Sequence, residues 1–140
     1  MKLAYKPKSK NQEHLTPDNI YEKIYELVRL KKTDFYDPCP AGTPYLSPIF
    51  FNGLYGDWQD NNYVNPPYAV RTLELFVAKA VEQSKKGKKT WMLLPSKTDQ
   101  DWFHKYIKHR HIIWIRKRLK FKNNKNHATD CHFLVLIRDD

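Results

Sequence analysis

Trp91-Met92-Leu93-Leu94 is a continuous apolar run closed by Pro95, and it constrains the fold more than any other stretch of the chain. A half-exposed strand alternates apolar with polar residues, whereas an unbroken run of strand length is typical of a strand buried on both faces of a parallel sheet. Such a strand needs cover on both sides, and the flanking segments have the pattern to supply it. Val70, Leu73, Phe76, Val77, Ala80 and Val81 recur at helical spacing, with Gly87 as the stop. Thr98 to about Lys108 reads as another helix, and Ile112–Ile115 and Phe133–Ile137 as two further strands.

Nearer the N-terminus, Thr16-Pro17 predicts a helix start, with threonine as N-cap and proline in the first helical position. Ile20, Ile24, Leu27 and Val28 give that helix one apolar face to about Leu30, and Lys31 and Lys32 suit its C-terminal end. Asp34–Asp37 is a short strand-like run, followed by an irregular stretch to about Asn62 that is rich in Pro, Gly, Asn and Tyr. The element order implies an α/β layer fold without internal repeats. Residues 1–14 are polar, lysine-rich and aperiodic, and read as a flexible basic arm; 15–140 reads as a single domain.

The chain has 140 residues, 41% of them apolar and 14% aromatic, which is enough for one core and argues against wholesale disorder despite a mean hydropathy of -0.77. Lysine and arginine number 25 against 15 acids, giving a net charge of +10. That surplus favours a polyanionic partner, nucleic acid first and an anionic membrane second. No apolar stretch approaches the ~20 residues of a membrane helix, and the basic N-terminus has no apolar signal region. Cys39 and Cys131 make no disulfide framework. The expectation is a soluble protein in a reducing cytoplasm, with no membrane partner.

From Lys105 to Lys125 there are nine lysines and arginines, and no acid lies between Asp101 and Asp130. Tyr106, Trp114 and Phe121 are interleaved with them, so the segment reads as a surface for a nucleic-acid backbone. The alternative is a solvated basic face without a partner. Lys85-Lys86-Gly87-Lys88-Lys89 reads as a helix end and turn. His109-x-His111 and His127-x-x-x-Cys131-His132 contain metal-ligand residue types but lack the paired spacing of a structural zinc site, so no metal is expected. Cys39 has no identifiable base beside it and reads as a buried small residue rather than a nucleophile.

Asn65-Pro66-Pro67-Tyr68 falls between a predicted strand and a predicted helix, where open α/β sheets carry their sites. Two prolines remove two N–H donors and fix φ, so the carbonyls before them can face outward as acceptors. The Asn65 amide oxygen adds another, and the Tyr68 ring can stack on a flat group whose NH₂ those acceptors hold. The plain alternative is a proline-stiffened strand end with a packed tyrosine.

This tetrapeptide resembles that of amino-methyltransferases, and four other pieces resemble the small phage-type DNA adenine-N6 methyltransferases (Dam-like). These are Thr16-Pro17 before an amphipathic helix, Asp37-Pro38-Cys39 at the end of the first strand, Leu93-Leu94-Pro95 with Thr98-Asp99 and Trp102-Phe103-His104, and Arg118-Leu119-Lys120-Phe121. The resemblance covers roughly residues 15–137. It implies a shortened Rossmann-like methyltransferase fold, a three-layer sheet with helices on both faces, that uses S-adenosylmethionine to methylate adenine N6 in DNA.

By the same resemblance, Asn65 and the Pro66 carbonyl hold the target amine and Tyr68 stacks on the extruded base. Thr16, Pro17, Asp37, Cys39 and Gly42 face the cofactor. Asp57 or Asp60 could supply the acid for its ribose hydroxyls, and spacing does not choose between them; Asp57 is assigned to the cofactor. Pro67, Lys97, Arg116, Arg118, Lys120 and Lys122 are assigned to the substrate and nucleic acid. The small size and the family imply a phage or viral origin and a host cytoplasm. Two other readings stay open: methylation of a protein glutamine amide, and a non-catalytic nucleic-acid-binding module derived from a methyltransferase.

Overall fold

The computed structural model describes residues 15–40 and 53–139. The expected arm at 1–14 and the cofactor candidate Gly42 lie outside these residues. The described chain runs through helix α1 (Asp18–Val28), a 3₁₀ turn (Lys32–Asp34), strand β1 (Asn61–Val64), helix α2 (Val70–Ser84), strand β2 (Lys89–Pro95), a π-helical turn (Phe103–Ile107), strand β3 (Ile112–Trp114) and strand β4 (His132–Ile137). The sheet order is β1-β2-β4-β3. β1 and β2 are parallel, joined through α2, and β4 is antiparallel to both β2 and β3.

β2 is the two-faced strand that its composition predicts, with Thr90 to Pro95 all buried. Met92 and Leu94 point to one core with Val64, Phe133, Val135 and Ile137, covered by Leu73, Phe76, Val77 and Ala80 of α2. Trp91 and Leu93 point to the other with Tyr63 and Leu134, covered by Ile20 and Ile24 of α1 and by Leu119 and Phe121. Each fully buried apolar side chain of this kind stabilises by about 1.5–3 kcal/mol, so β2 anchors both cores. The result is a mixed α/β arrangement with helices on both faces of a four-stranded sheet. No helix among the described residues is long and apolar enough to cross a membrane.

Several local expectations need correction. Thr16 does not cap α1: Pro17 occupies the N-cap without a side-chain cap bond, and the threonine hydroxyl is used elsewhere. Only Ile20 and Ile24 of α1 are buried, while Leu27 and Val28 are exposed. The helix ends at Arg29 in the left-handed region (φ 60°), whose N–H reaches Tyr25 O, so Lys31 and Lys32 lie beyond it. The strand-like run Asp34–Asp37 shrinks to one parallel bridge between Tyr36 and Asn62. Its start is claimed by the 3₁₀ turn, where Asp34 Oδ2 accepts the Lys31 N–H at 2.7 Å. Its end meets Pro38, which has no N–H to give a ladder. In the segment Thr98–Lys108, regular helix gives way to the π turn at Phe103–Ile107, which buries Phe103 and Ile107.

Candidate active site

β1 delivers Asn65, Pro66, Pro67 and Tyr68 to the carboxyl end of the parallel pair, immediately before α2. A cavity of about 390 Å³ opens there, lined by Leu15, Thr16, Tyr21, Lys32, Asp37, Cys39, Pro40, Asn65, Pro67 and Lys122. Thr16, Asp37, Cys39, Asn65 and Pro67, drawn from three separate segments, therefore meet in one place. Pro17 stands beside Thr16 at the start of α1, and Pro66 is buried.

The Asn65 side chain is fixed by a polar relay. Its Nδ2 donates to Thr16 Oγ1 at 3.1 Å, and that hydroxyl is 2.9 Å from the hydroxyl of Tyr63. Tyr63 is buried within β1, and its ring lies 4.9 Å from that of Tyr21. Burial pushes the Tyr21 phenol up to about 12 and the Tyr63 phenol well above its ordinary value. Both stay neutral hydroxyls across the working pH range. Pinning the nitrogen end of the amide sets where its acceptor oxygen sits.

Asp37 follows the Tyr36 bridge and is largely withdrawn from water. Burial pushes its carboxyl up to about 6, against the opposing pull of the Cys39 N–H and of Lys32. Its Oδ1 accepts that N–H at 2.8 Å. Gly53 holds the same turn from behind: a Cβ there would sit 1.7 Å from Pro38 O. The Gly53 carbonyl accepts the indole N–H of buried Trp58 at 2.7 Å.

Tyr68 turns inward. Its hydroxyl bonds His132 Nε2, and its ring meets Phe121 edge-on at 6.2 Å. Burial raises its phenol far above the usual range. His132, Tyr63, Tyr21, Lys32 and Gly53 are the members that sequence patterning missed. His132 meets Tyr68 and Tyr63 meets Thr16 across 64 and 47 residues of sequence, and no local period marks such contacts. The spacing of His132 with His127 and Cys131 suggests only metal-ligand chemistry; among the described residues no group of three or more His, Cys, Asp or Glu comes together to hold a metal ion.

Other candidates fall elsewhere. Asp57 is not brought to the cavity: it precedes β1 and bonds Lys86 and Gln83, at and beyond the C-terminal end of α2. This is the opposite end of the strand from Asn65. Asp60 likewise pairs with Lys88 at 3.6 Å. The Arg118-Leu119-Lys120-Phe121 element alternates, with Leu119 and Phe121 buried and Arg118 and Lys120 exposed. Lys120 bonds Asn124 O at 2.8 Å, Lys97 pairs with Asp130 at 3.2 Å, and Arg116 is exposed. Lys122 joins the cavity and pairs with Asp18 at 2.6 Å.

Compared with known families, the chain matches the model for DNA N-6-adenine-methyltransferase (Dam) over residues 6–139. Neither the curated proteins nor the solved structures contain a match to it.

Proposed function

The chain belongs to the DNA N-6-adenine-methyltransferase family, and we propose that it transfers a methyl group from S-adenosylmethionine to the N6 amine of adenine in DNA, with the Asn65–Tyr68 turn holding the amine. One observation carries this reading: the relay-held amide of Asn65 and the buried carboxyl of Asp37 line the same cavity at the carboxyl ends of β1 and β2. An acceptor-holding turn and a donor-holding segment must share a cavity for the transfer to be direct. The parallel β1–α2–β2 unit with its site at the strand ends supports reading residues 15–140 as a shortened Rossmann-like methyltransferase domain.

The residues present fit the cofactor by charge. Asp37 offers a carboxylate to an ammonium and Lys32 a cation to a carboxylate, as an amino-acid moiety requires, while Lys122 at the same cavity is paired with Asp18. Bound S-adenosylmethionine supplies an electrophilic methyl group on a sulfonium, so no metal is needed. Asn65 Oδ1 and the Pro66 carbonyl accept hydrogen bonds from the two N6 hydrogens, which orients the amine and leaves its nitrogen lone pair available for attack. Tyr68, which packs inward beside the turn and does not line the cavity, would stack on the extruded adenine by turning its ring out from Phe121 and His132. Base extrusion costs a few kcal/mol, and an aromatic stack returns about 1–3 kcal/mol.

The test is to incubate mixed-sequence DNA with labelled S-adenosylmethionine and separate the nucleosides by mass. N6-methyladenine is the expected product. Absence of product, together with failure to bind S-adenosylmethionine, would refute the reading and leave a DNA-binding module.

A further inference from the structure

β3 is the edge strand of the sheet, and it carries Trp114 with 57% of its surface exposed. The indole is not loose: it packs at 5.4 Å and 61° against Phe133, its register partner on β4. The next residue on β4, going toward the site, is His132. Its carbonyl accepts the Ile115 N–H at 3.0 Å, and its ring bonds Tyr68. The end of β3 and the proposed base-holding turn are therefore joined through one residue.

One residue beyond β3 come Arg116, Lys117 and Arg118, all exposed. Among the described residues none of the three makes an ion pair, although Lys23, Lys79, Lys86, Lys88, Lys97 and Lys122 all do. Lys117 also adopts φ 67°, a left-handed conformation that is costly for a residue with a Cβ. Arg29, the other such residue among the described residues, closes a helix with its N–H; Lys117 ends no helix, and among the described residues its side chain makes no hydrogen bond or ion pair that offsets the strain. Strain held without a local structural return is concentrated at functional positions.

We propose that the β3 edge and the turn after it form the surface that seats DNA, with Arg116, Lys117 and Arg118 on phosphates and Trp114 stacked on a base of the opened duplex. This rests on the adenine-methylation reading above and narrows the basic segment 105–125 to one surface, adding Lys117 and a stacking role for Trp114. Phosphate is the complement of three clustered, unneutralised cations. An exposed indole with a braced back is suited to a base that extrusion of its neighbour has uncovered.

The test is fluorescence-anisotropy binding of a labelled DNA duplex to the full chain between 50 and 300 mM salt (about the range in which phosphate contacts are read), beside thermal unfolding. Lys117→Gly is expected to raise the unfolding midpoint by about 3–5 °C. The same variant is expected to weaken DNA binding by about fivefold to tenfold at 0.1 M salt and to lower the salt slope by about 0.9. Lys117→Arg keeps both the affinity and the slope. Trp114→Ala weakens binding by about tenfold with the slope unchanged, because stacking releases no counterions, and Trp114→Phe recovers most of the loss. Lys86→Gln, at the opposite end of the sheet, binds as wild type. Wild-type affinity and slope in Lys117→Gly and Trp114→Ala would overturn the proposal. If wild type methylates adenine while those variants bind DNA normally, only this surface is wrong; if wild type neither binds nor methylates DNA, the reading beneath it falls.

Discussion

Replacing Thr16 by valine deletes one hydroxyl at nearly constant volume, and the structure says what that hydroxyl does. It accepts the Asn65 Nδ2 hydrogen at 3.1 Å and bonds the Tyr63 hydroxyl at 2.9 Å. Tyr63 is only 2% exposed, so water cannot replace its lost partner. An unmatched buried hydroxyl costs about 1–3 kcal/mol and a lost ordinary hydrogen bond about 1 kcal/mol. Thr16→Val should therefore cost about 2–4 kcal/mol in urea unfolding. Tyr63→Phe removes the orphaned group, and the double variant should be less destabilised than the sum of the singles by at least about 1 kcal/mol. The released Asn65 amide should lower single-turnover methyl transfer by about tenfold to a hundredfold, the scale of a modest misplacement of a reacting group. A Thr16→Val protein with wild-type stability and turnover, or a double variant whose losses simply add, would refute the relay.

Three other outcomes follow from the same geometry. Burial raises Asp37 to about 6 in the folded chain, from an ordinary 3.8, so the native state binds the proton more tightly than the unfolded one. Its contribution to stability is greatest below about pH 4 and is lost as pH rises through about 6, by about 2–3 kcal/mol; Asp37→Asn should abolish that component of a pH-dependent urea series. Gly53→Ala forces a Cβ onto the Pro38 carbonyl, which is backbone and cannot swing aside, so a loss of about 3 kcal/mol or more is expected by thermal unfolding, with weaker cofactor binding by calorimetry. Tyr68→Phe removes the His132 bond and should cost about 1–2 kcal/mol while keeping the stacking ring; Tyr68→Ala should in addition lower kcat/KM for DNA by about tenfold or more.

The two-faced strand β2, the helix α2 and the turn between β1 and α2 were legible because each is written in local sequence. A continuous apolar run, a 3.6-residue period and a pair of prolines need no distant partner to be read. Thr16 shows where that reading stops. Its position before Pro17 suits a helix cap, yet its hydroxyl goes to Tyr63 and Asn65, 47 and 49 residues away. Asp34–Asp37 has strand composition, but a 3₁₀ turn takes its first residues and proline stops its last. Asp57 suited the ribose-binding acid by order along the chain; β1 carries the chain from Asp57 at its amino end to Asn65 at its carboxyl end, so the two cannot meet. Gly53 gave no sign at all, because its close approach to Pro38 belongs to the packing of two loops.

The most direct test is single-turnover methyl transfer by Asn65→Ala at saturating S-adenosylmethionine, with cofactor affinity and thermal unfolding measured on the same preparation. Asn65 is held to act on the target amine and not on the fold. The predicted result is a fall in rate of about a hundredfold or more, with cofactor affinity nearly unchanged and the unfolding midpoint within a few degrees of wild type. Wild-type turnover by this variant would contradict the assignment of the site.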